Sequence, residues 1–450
     1  MQTTKSEDVQ YKKMTETPVL RLIITLSIPT IISMLVTNIY NLVDTAFVGT
    51  LGTSASGAVG VVFGFMAIIQ AFGFLFGQGS GSIVSRLLGA KQINDASKTA
   101  STAFLLSFAS GLIITLTGFI FLDHIVIMLG STPTISPYAK TYIRYILCAA
   151  PFMTSSFTLN NILRYEGRAF FGMIGLLTGG ILNIAGDAVF IFGIGMGIGG
   201  AGLSTAISQI VSFCILLSMF VRGKTQTKLH PGYLTLQAAL IGNIMATGLP
   251  SLLRQGLGSL STIILNKACG VYGDSAVAAM SIVNRIIFFV FSVALGFGQG
   301  FQPVSGFNYG AGKYKRVRRA FWCTLVMGEI FIVIVSLIVA MNPDEIIALF
   351  RDDPDVVAVG HRALMLQCMA LPTLPLCMIT EMLFQSTGQR AGAAVLSSLR
   401  SGIFLIPALI LLSYYRGLTG IQEAQAVAFV LSFVTSLFFL IWYLKRLPKE

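Results

Sequence analysis

Charge is what this sequence has least of. Only 11% of its 450 residues are Asp, Glu, Lys or Arg, where a water-soluble chain carries roughly 25%. That is too little to cover a water-facing surface. Histidine is nearly absent: His124, His230 and His361 are far apart, and no metal or nucleophile motif surrounds them, so an enzyme is not expected. The six cysteines (Cys148, Cys214, Cys269, Cys323, Cys368 and Cys377) lie in apolar runs and none makes a CxxC pair. They read as small packing residues, with no disulfide framework, structural metal or cofactor implied. A cleavable signal peptide is not expected either. The chain opens on polar residues (Lys5, Glu7, Asp8, Lys12, Lys13, Glu16), and the first apolar run, Leu20 to about Phe47, is too long for a signal core.

What fills the sequence instead is apolar surface. Hydrophobic residues make up 54% and the mean hydropathy is +0.80. Apolar runs recur from Leu20 to Leu444, many near the roughly 20 residues a helix needs to cross a bilayer. The pattern predicts an all-α polytopic membrane protein of about twelve spans: 20–46, 57–80, 99–121, 138–161, 169–192, 199–221, 240–268, 276–301, 320–341, 360–384, 391–413 and 421–444. The formal charge of +12 is dispersed over short loops, which excludes a nucleic-acid domain. Alternate connections are basic: Arg86, Lys91 and Lys98; Arg164 and Arg168; Arg222, Lys224 and Lys228; Lys313 to Arg319; Arg390. The opposite set is neutral or acidic, ending in Asp344, Glu345, Asp352, Asp353 and Asp355. Such alternation implies an even number of spans with both termini cytoplasmic, in a cell membrane.

The chain repeats itself. Pro29 and Pro250 are 221 residues apart. The same spacing aligns Gly52 with Gly273, Phe76-Gly77-Gln78-Gly79 with Phe297-Gly298-Gln299-Gly300, Pro151 with Pro372, and Gly167 with Gly388. Two parallel six-helix bundles follow: a tail 1–19, an N-lobe 20–221, a cytoplasmic linker 222–238, a C-lobe 239–444 and a tail 445–450. That is the parallel-repeat plan of transporters, with a central cleft and alternating access. Pro29 and Pro250 fall inside the first span of each half, where proline kinks a helix, either as a static bend or as one that changes between states. The nearest match to a phosphate-binding loop, Gly306 to Lys313, is one residue too long and is followed by Tyr314. With no ATPase motif, an ion gradient has to drive transport.

Ionisable residues inside spans are costly and therefore functional candidates. The first half holds Asp44 and Asp187 without a base. The second holds Arg254, Arg285 and Arg400 with Glu329 and Glu381. Tyr40 and Asp44 share a helix face, as do Asn183 and Asp187. Two carboxyls backed by a phenol and an amide suit either proton uptake or a small hard cation held by oxygens. Asn160, Asn161 and Thr205 are polar in neighbouring spans, each also explicable as packing glue. Glu381 is expected to pair with Arg285 or Arg400, and stands at the repeat position of Asn160. Some of the 33 Phe and 17 Met residues are expected to line the cleft, suiting bulky, variable ligands.

Several motifs together resemble the multidrug and toxic compound extrusion (MATE) family over nearly the whole chain. They are Ser27-Ile28-Pro29, Asp44-Thr45-Ala46-Phe47-Val48-Gly49, Gly77-Gln78-Gly79, Gly89-Ala90-Lys91 and Leu163-Arg164-Tyr165-Glu166-Gly167. The resemblance is to the prokaryotic branch with its cation site in the N-lobe. It implies that Tyr40, Asp44, Asn160, Asn183, Asp187 and Thr205 form that site, and that span one bends at Pro29. The acid that another branch carries in span seven is absent; Arg254 and Gln255 stand there. The resemblance implies efflux of cationic or amphipathic organic compounds in exchange for H+ or Na+, by a protein functional as a monomer among membrane lipids. A lipid or lipid-linked oligosaccharide flippase is the alternative that Arg254, Arg285 and Arg400 support, although about fourteen spans would suit it better. A channel or receptor-like protein calls for a polar stripe, and the polar residues here are scattered.

Overall fold

A chain inside hydrocarbon finds no water for its N–H and C=O groups, so each apolar run has to close its hydrogen bonds internally, as a helix does. The computed structural model describes residues 2–448, and among them the regular elements are helices, with no strand. In chain order they are α1 (Gln2–Glu16), α2 (Val19–Gly49), α3 (Thr53–Gly89), α4 (Ile93–Ile120), α5 (Leu122–Met128), α6 (Ser136–Tyr165), α7 (Ala169–Asp187) and α8 (Ile198–Val221). Then follow α9 (Ala238–Gly270), α10 (Asp274–Gly310), α11 (Tyr314–Met341), α12 (Pro343–Ala348), α13 (Pro354–Ala370), α14 (Leu374–Ser386), α15 (Arg390–Ser398) and α16 (Leu405–Arg446). Of the tails expected from the sequence, Met1 and the last two residues lie outside the described residues.

Among the described residues, ten helical stretches are long and apolar enough to span a membrane, one of them running from Arg390 to Arg446. That stretch is two spans. Gly417 has φ 60° and ψ −138°, a geometry open to glycine. Beyond it, a Cβ on Gly420 would lie 2.0 Å from the Leu412 carbonyl oxygen, so the chain reverses there. Gly197, with φ 57° and ψ −139°, makes the equivalent turn before α8. The remaining span is α9, whose apolar run is diluted by Asn243, Pro250, Arg254 and Gln255. The described residues therefore form the twelve spans expected.

The repeat extends beyond sequence identity. The short helices α5 and α12 begin at Leu122 and Pro343, again 221 residues apart, though their sequences share nothing obvious. The halves differ at their matched prolines. Helix α6 runs unbroken through Pro151. Its counterpart breaks into α13 and α14 with a 3-10 turn at Leu371–Thr373, because Pro372 and Pro375 together remove two backbone donors.

By packing, the chain divides into two compact units: α1 with Ile32–Leu252, and Thr17–Ile31 with the residues from Leu253 on. Helices α2 and α9 thus change unit two residues after Pro29 and Pro250, and both remain continuous through those prolines. The Phe-Gly-Gln-Gly motifs account for this. In the first unit, a Cβ on Gly79 would lie 2.3 Å from the Ile244 carbonyl oxygen, and one on Gly248 1.8 Å from that of Leu75. In the second, a Cβ on Gly300 would lie 2.1 Å from the Ser27 Oγ, and one on Gly296 2.4 Å from Ile31. Each motif is a crossing point at which only a glycine lets two backbones approach this closely.

The linker is strapped down rather than loose. Buried Glu166, at the end of α6, accepts hydrogen bonds from the backbone N–H of Gln226 (2.8 Å) and Thr227 (3.0 Å) and from the Thr227 hydroxyl. The Lys228 N–H donates to Ser97 Oγ at 3.0 Å. Helix α1 sits on the same turn: Gln10 Nε2 donates to the Glu166 carbonyl at 3.0 Å, and Met14 is buried.

Candidate ion-coupling site

Helix α2 places Tyr40 and Asp44 one turn apart, and Asp44 is buried. From the start of α6, the Tyr142 hydroxyl reaches both Asp44 carboxylate oxygens, at 3.3 and 3.2 Å, and lies 3.0 Å from Thr205 Oγ1 on α8. Asn183 on α7 donates from Nδ2 to the same Thr205 oxygen at 3.1 Å. Small residues bring α7 and α8 this close: a Cβ on Gly186 would lie 2.5 Å from Ser204 Oγ. Ser204 in turn donates to the Asn183 carbonyl at 2.9 Å. The Tyr40 ring packs on Gly180 of α7, and its hydroxyl faces Gln209 of α8.

Asp187 closes the cluster. It lies one turn beyond Asn183, is fully buried, and stands near enough to Asp44 for each carboxyl to feel the charge of the other. Among the described residues, neither of its oxygens, nor the Asn183 Oδ1, receives a hydrogen bond. At this point α7 widens into a π-helical turn, Ala188–Gly193, a distortion common at functional sites. Among the described residues no Lys, Arg or His pairs with Asp44 or Asp187. Two buried carboxyls without a protein cation are costly unless something external compensates them. A proton or a small cation with oxygen ligands does so.

Five of the six expected residues (Tyr40, Asp44, Asn183, Asp187 and Thr205) thus come together. Asn160 does not. It is on α6 with Tyr142 but roughly 27 Å along it at 1.5 Å per residue, and its amide nitrogen lies against Gly172 at the other end of α7. Tyr142 and Gln209 went unnoticed in the sequence, because an isolated Tyr or Gln at a span end carries no signal of what faces it.

In the second unit the charges pair differently from expectation. Glu381 Oε1 binds Arg254 Nη1 at 2.6 Å, with the side chains only 6% and 11% exposed. Arg285 is exposed instead: its neighbours Val283, Ile286 and Ile287 are buried, so it points from the opposite face of α10. Arg400 lies in a second π-helical turn, Leu399–Phe404, with its guanidinium carbon 4.5 Å from the centre of the Phe291 ring.

Twelve spans in two parallel repeats, with ionisable residues buried in the bundles, define a multi-pass membrane transporter rather than an enzyme. The MatE family model matches residues 29–189 and again 250–411, so the two matches begin at Pro29 and Pro250. The chain belongs to this family. It is 28% identical over 427 residues to the multidrug export protein MepA of Staphylococcus aureus (strain MSSA476), covering 94% of this chain and 93% of that one. Among solved structures, a MATE protein in complex with MaD3S is 26% identical with a TM-score of 0.89, over 97% of this chain and 99% of that one. A MATE protein in complex with MaL6 shares the fold at a TM-score of 0.92 and 24% identity, over 98% and 99%.

Proposed function

We propose that this protein is a secondary multidrug exporter of the cell membrane that moves cationic or amphipathic organic compounds outward in exchange for H+ or Na+. Membership of the family and similarity to MepA, a multidrug export protein, support the export reading. The coupling assignment is carried by one observation: Asp44 and Asp187 are buried together with no basic partner among the described residues. The coupling ion binds this pair from outside. Neutralising it changes how α2 packs near Pro29 and weakens substrate binding, so that substrate leaves and the loaded protein returns. The two repeats supply the halves that alternating access requires, with both termini cytoplasmic and a monomer as the working unit.

The test is efflux from proteoliposomes under an imposed gradient. Asp187→Asn is expected to abolish gradient-driven efflux, and full activity in that variant refutes the assignment. Collapsing the Na+ and pH gradients separately identifies the ion. A flippase for lipid or lipid-linked oligosaccharide is the second reading, resting on the basic residues of the C-terminal half. The pairing of Arg254 with Glu381 weakens it by neutralising one of them.

A further inference from the structure

The short helices α5 and α12 share more than their position: each is tied to the next long helix by an ion pair that no motif announces. In the first unit, Lys140 Nζ of α6 lies 2.6 Å from Asp123 Oδ1 of α5. In the second, His361 Nδ1 of α13 lies 2.6 Å from Asp344 Oδ1 of α12. Asp344 and His361 stand 221 residues beyond Asp123 and Lys140 respectively. The packing beneath is repeated as well. Ile347 seats on α13 where a Cβ on Gly360 would lie 2.9 Å from its Cδ1. The counterparts at the same spacing, Val126 and Ala139, are fully buried. There the apolar side chain is smaller and the residue of the seat larger. Each half therefore clamps a short helix by an apolar seat and an acid–base pair.

The clamps differ in the base. A lysine stays charged at every physiological pH, and its hydrogen bond from Lys140 holds the Asp123 carboxyl below its ordinary range. An imidazole changes its charge between about pH 5 and 8. On the His361 side, α12 brings Asp344 and Glu345 and the following turn brings Asp352, and these line a cavity of about 640 Å³ together with His361. Asp353 instead caps α13, accepting from the Asp355 and Val356 N–H groups, and pairs with Arg351 at 3.6 Å. Arg362 turns to Glu423 of α16, which also holds Arg416. Helices α10 and α11 pack on α13 too. They bring Asp274, Arg285 and Glu329, none of which pairs with His361 among the described residues; the other charges of α11, Lys315 to Arg319, lie at its far end. A charged His361 thus faces three carboxylates, and a neutral one keeps at most a hydrogen bond.

We propose that the His361–Asp344 pair is a pH-sensitive clamp, closed in acid and loosened as the pH rises through the histidine range, which sets how tightly α12 is held to α13 and so the access to the cavity they line. The Lys140–Asp123 pair is its permanently closed counterpart. Both lie in connections of the set opposite to the basic linker, so under the topology proposed above the clamp responds to external pH.

The clamp is tested without transport, by hydrogen–deuterium exchange of the purified full chain in detergent, at about pH 5.5 and about pH 8. Rates are corrected for the intrinsic pH dependence of exchange. In the wild type, peptides over 343–350 are expected to exchange about two- to fivefold faster at the higher pH, the size of effect an exposed pair can supply. Peptides over 122–128 serve as the internal control and should not change. His361→Lys, which copies the pair of the first half, should leave 343–350 slow at both pH values. His361→Gln should leave it fast at both. His361 is exposed, so neither change disturbs the core. No pH effect in the wild type, an equal effect over 122–128, or an effect that survives in either variant overturns the clamp. Failure of gradient-driven efflux bears on the export reading alone and leaves this result standing.

Discussion

The hydroxyl of Tyr142 lies 3.2 Å from an Asp44 carboxylate oxygen, joining α6 to α2 across 98 residues of sequence. The same hydroxyl is 3.0 Å from Thr205, which accepts from Asn183, so one phenol links three helices around the acid pair. Tyr142→Phe leaves Asp44 and Thr205 without their shared partner, a cost of about 1–3 kcal/mol. We expect efflux at a fixed gradient to fall about tenfold, the equivalent of about 1.4 kcal/mol, while the protein stays monodisperse. Unchanged efflux in proteoliposomes would remove Tyr142 from the site.

The glycine crossings give a sharper structural test. Gly248→Ala places a methyl group 1.8 Å from the Leu75 carbonyl oxygen, a backbone atom that cannot step aside. Gly256, two turns further along α9, has nothing within 4 Å of its Cβ position. Gly248→Ala is expected to cost roughly 1–3 kcal/mol or more and to reduce folded yield and thermal stability. Gly256→Ala should match the wild type or gain slightly in helix propensity. Equal behaviour of the two variants in a thermal unfolding assay would contradict the crossing.

The Arg254–Glu381 pair predicts non-additivity. Arg254→Met removes the ion-pair partner of buried Glu381 and leaves only the charge of nearby Arg400 beside it, so the cost falls below the about 3–5 kcal/mol of an unpaired buried charge. Replacing both residues, as Arg254→Met with Glu381→Gln, removes the uncompensated charge and should recover much of that loss. A double-mutant cycle on thermal stability reads the coupling directly. Additive losses would mean that the pair contributes nothing.

Glu166 supplies a pH dependence outside the membrane spans. Burial pushes its carboxyl above the ordinary value of 4.5, against the opposing pull of the Thr227 hydroxyl and the Gln226 and Thr227 amides. A group whose folded value is raised contributes stability that is present in full below its unfolded value and is lost as the pH rises through the folded one. Wild-type stability should therefore fall relative to Glu166→Gln, which does not titrate, as the pH is raised from about 4.5. Glu166→Ala strands two buried backbone donors and should cost about 2–4 kcal/mol. Parallel pH profiles for wild type and Glu166→Gln in calorimetry would argue against a raised value.

How much of this was legible beforehand depends on how local each feature is. Span positions and the helix faces of Tyr40 with Asp44 and Asn183 with Asp187 follow from hydropathy and a 3.6-residue period, both read within one segment. The 221-residue repeat follows from identities such as Pro29 with Pro250. Those elements reappear in the structure, although α3 and α10 run on to Gly89 and Gly310, past the expected ends at 80 and 301. Asn160 was misplaced because residue type and family motif say nothing of position along a helix relative to a distant acid. Arg285 was misplaced because its burial depends on which face of α10 meets its neighbours.

By itself, then, the sequence determined a membrane-embedded, all-helical chain in two parallel repeats, since hydrocarbon leaves an apolar run no other way to satisfy its backbone. It also read the first half as carrying acids without bases, which holds around Asp44 and Asp187 but not at the end of α6, where Arg164 is buried. Tertiary structure alone decided the partners: Tyr142 and Gln209 at the acid site, Arg254 rather than Arg285 for Glu381, and the early parts of α2 and α9 changing unit after their prolines. The reason is that a side chain's partner is fixed by which glycine-lined faces approach one another, and the residues that meet there are 63, 98 or 127 positions apart.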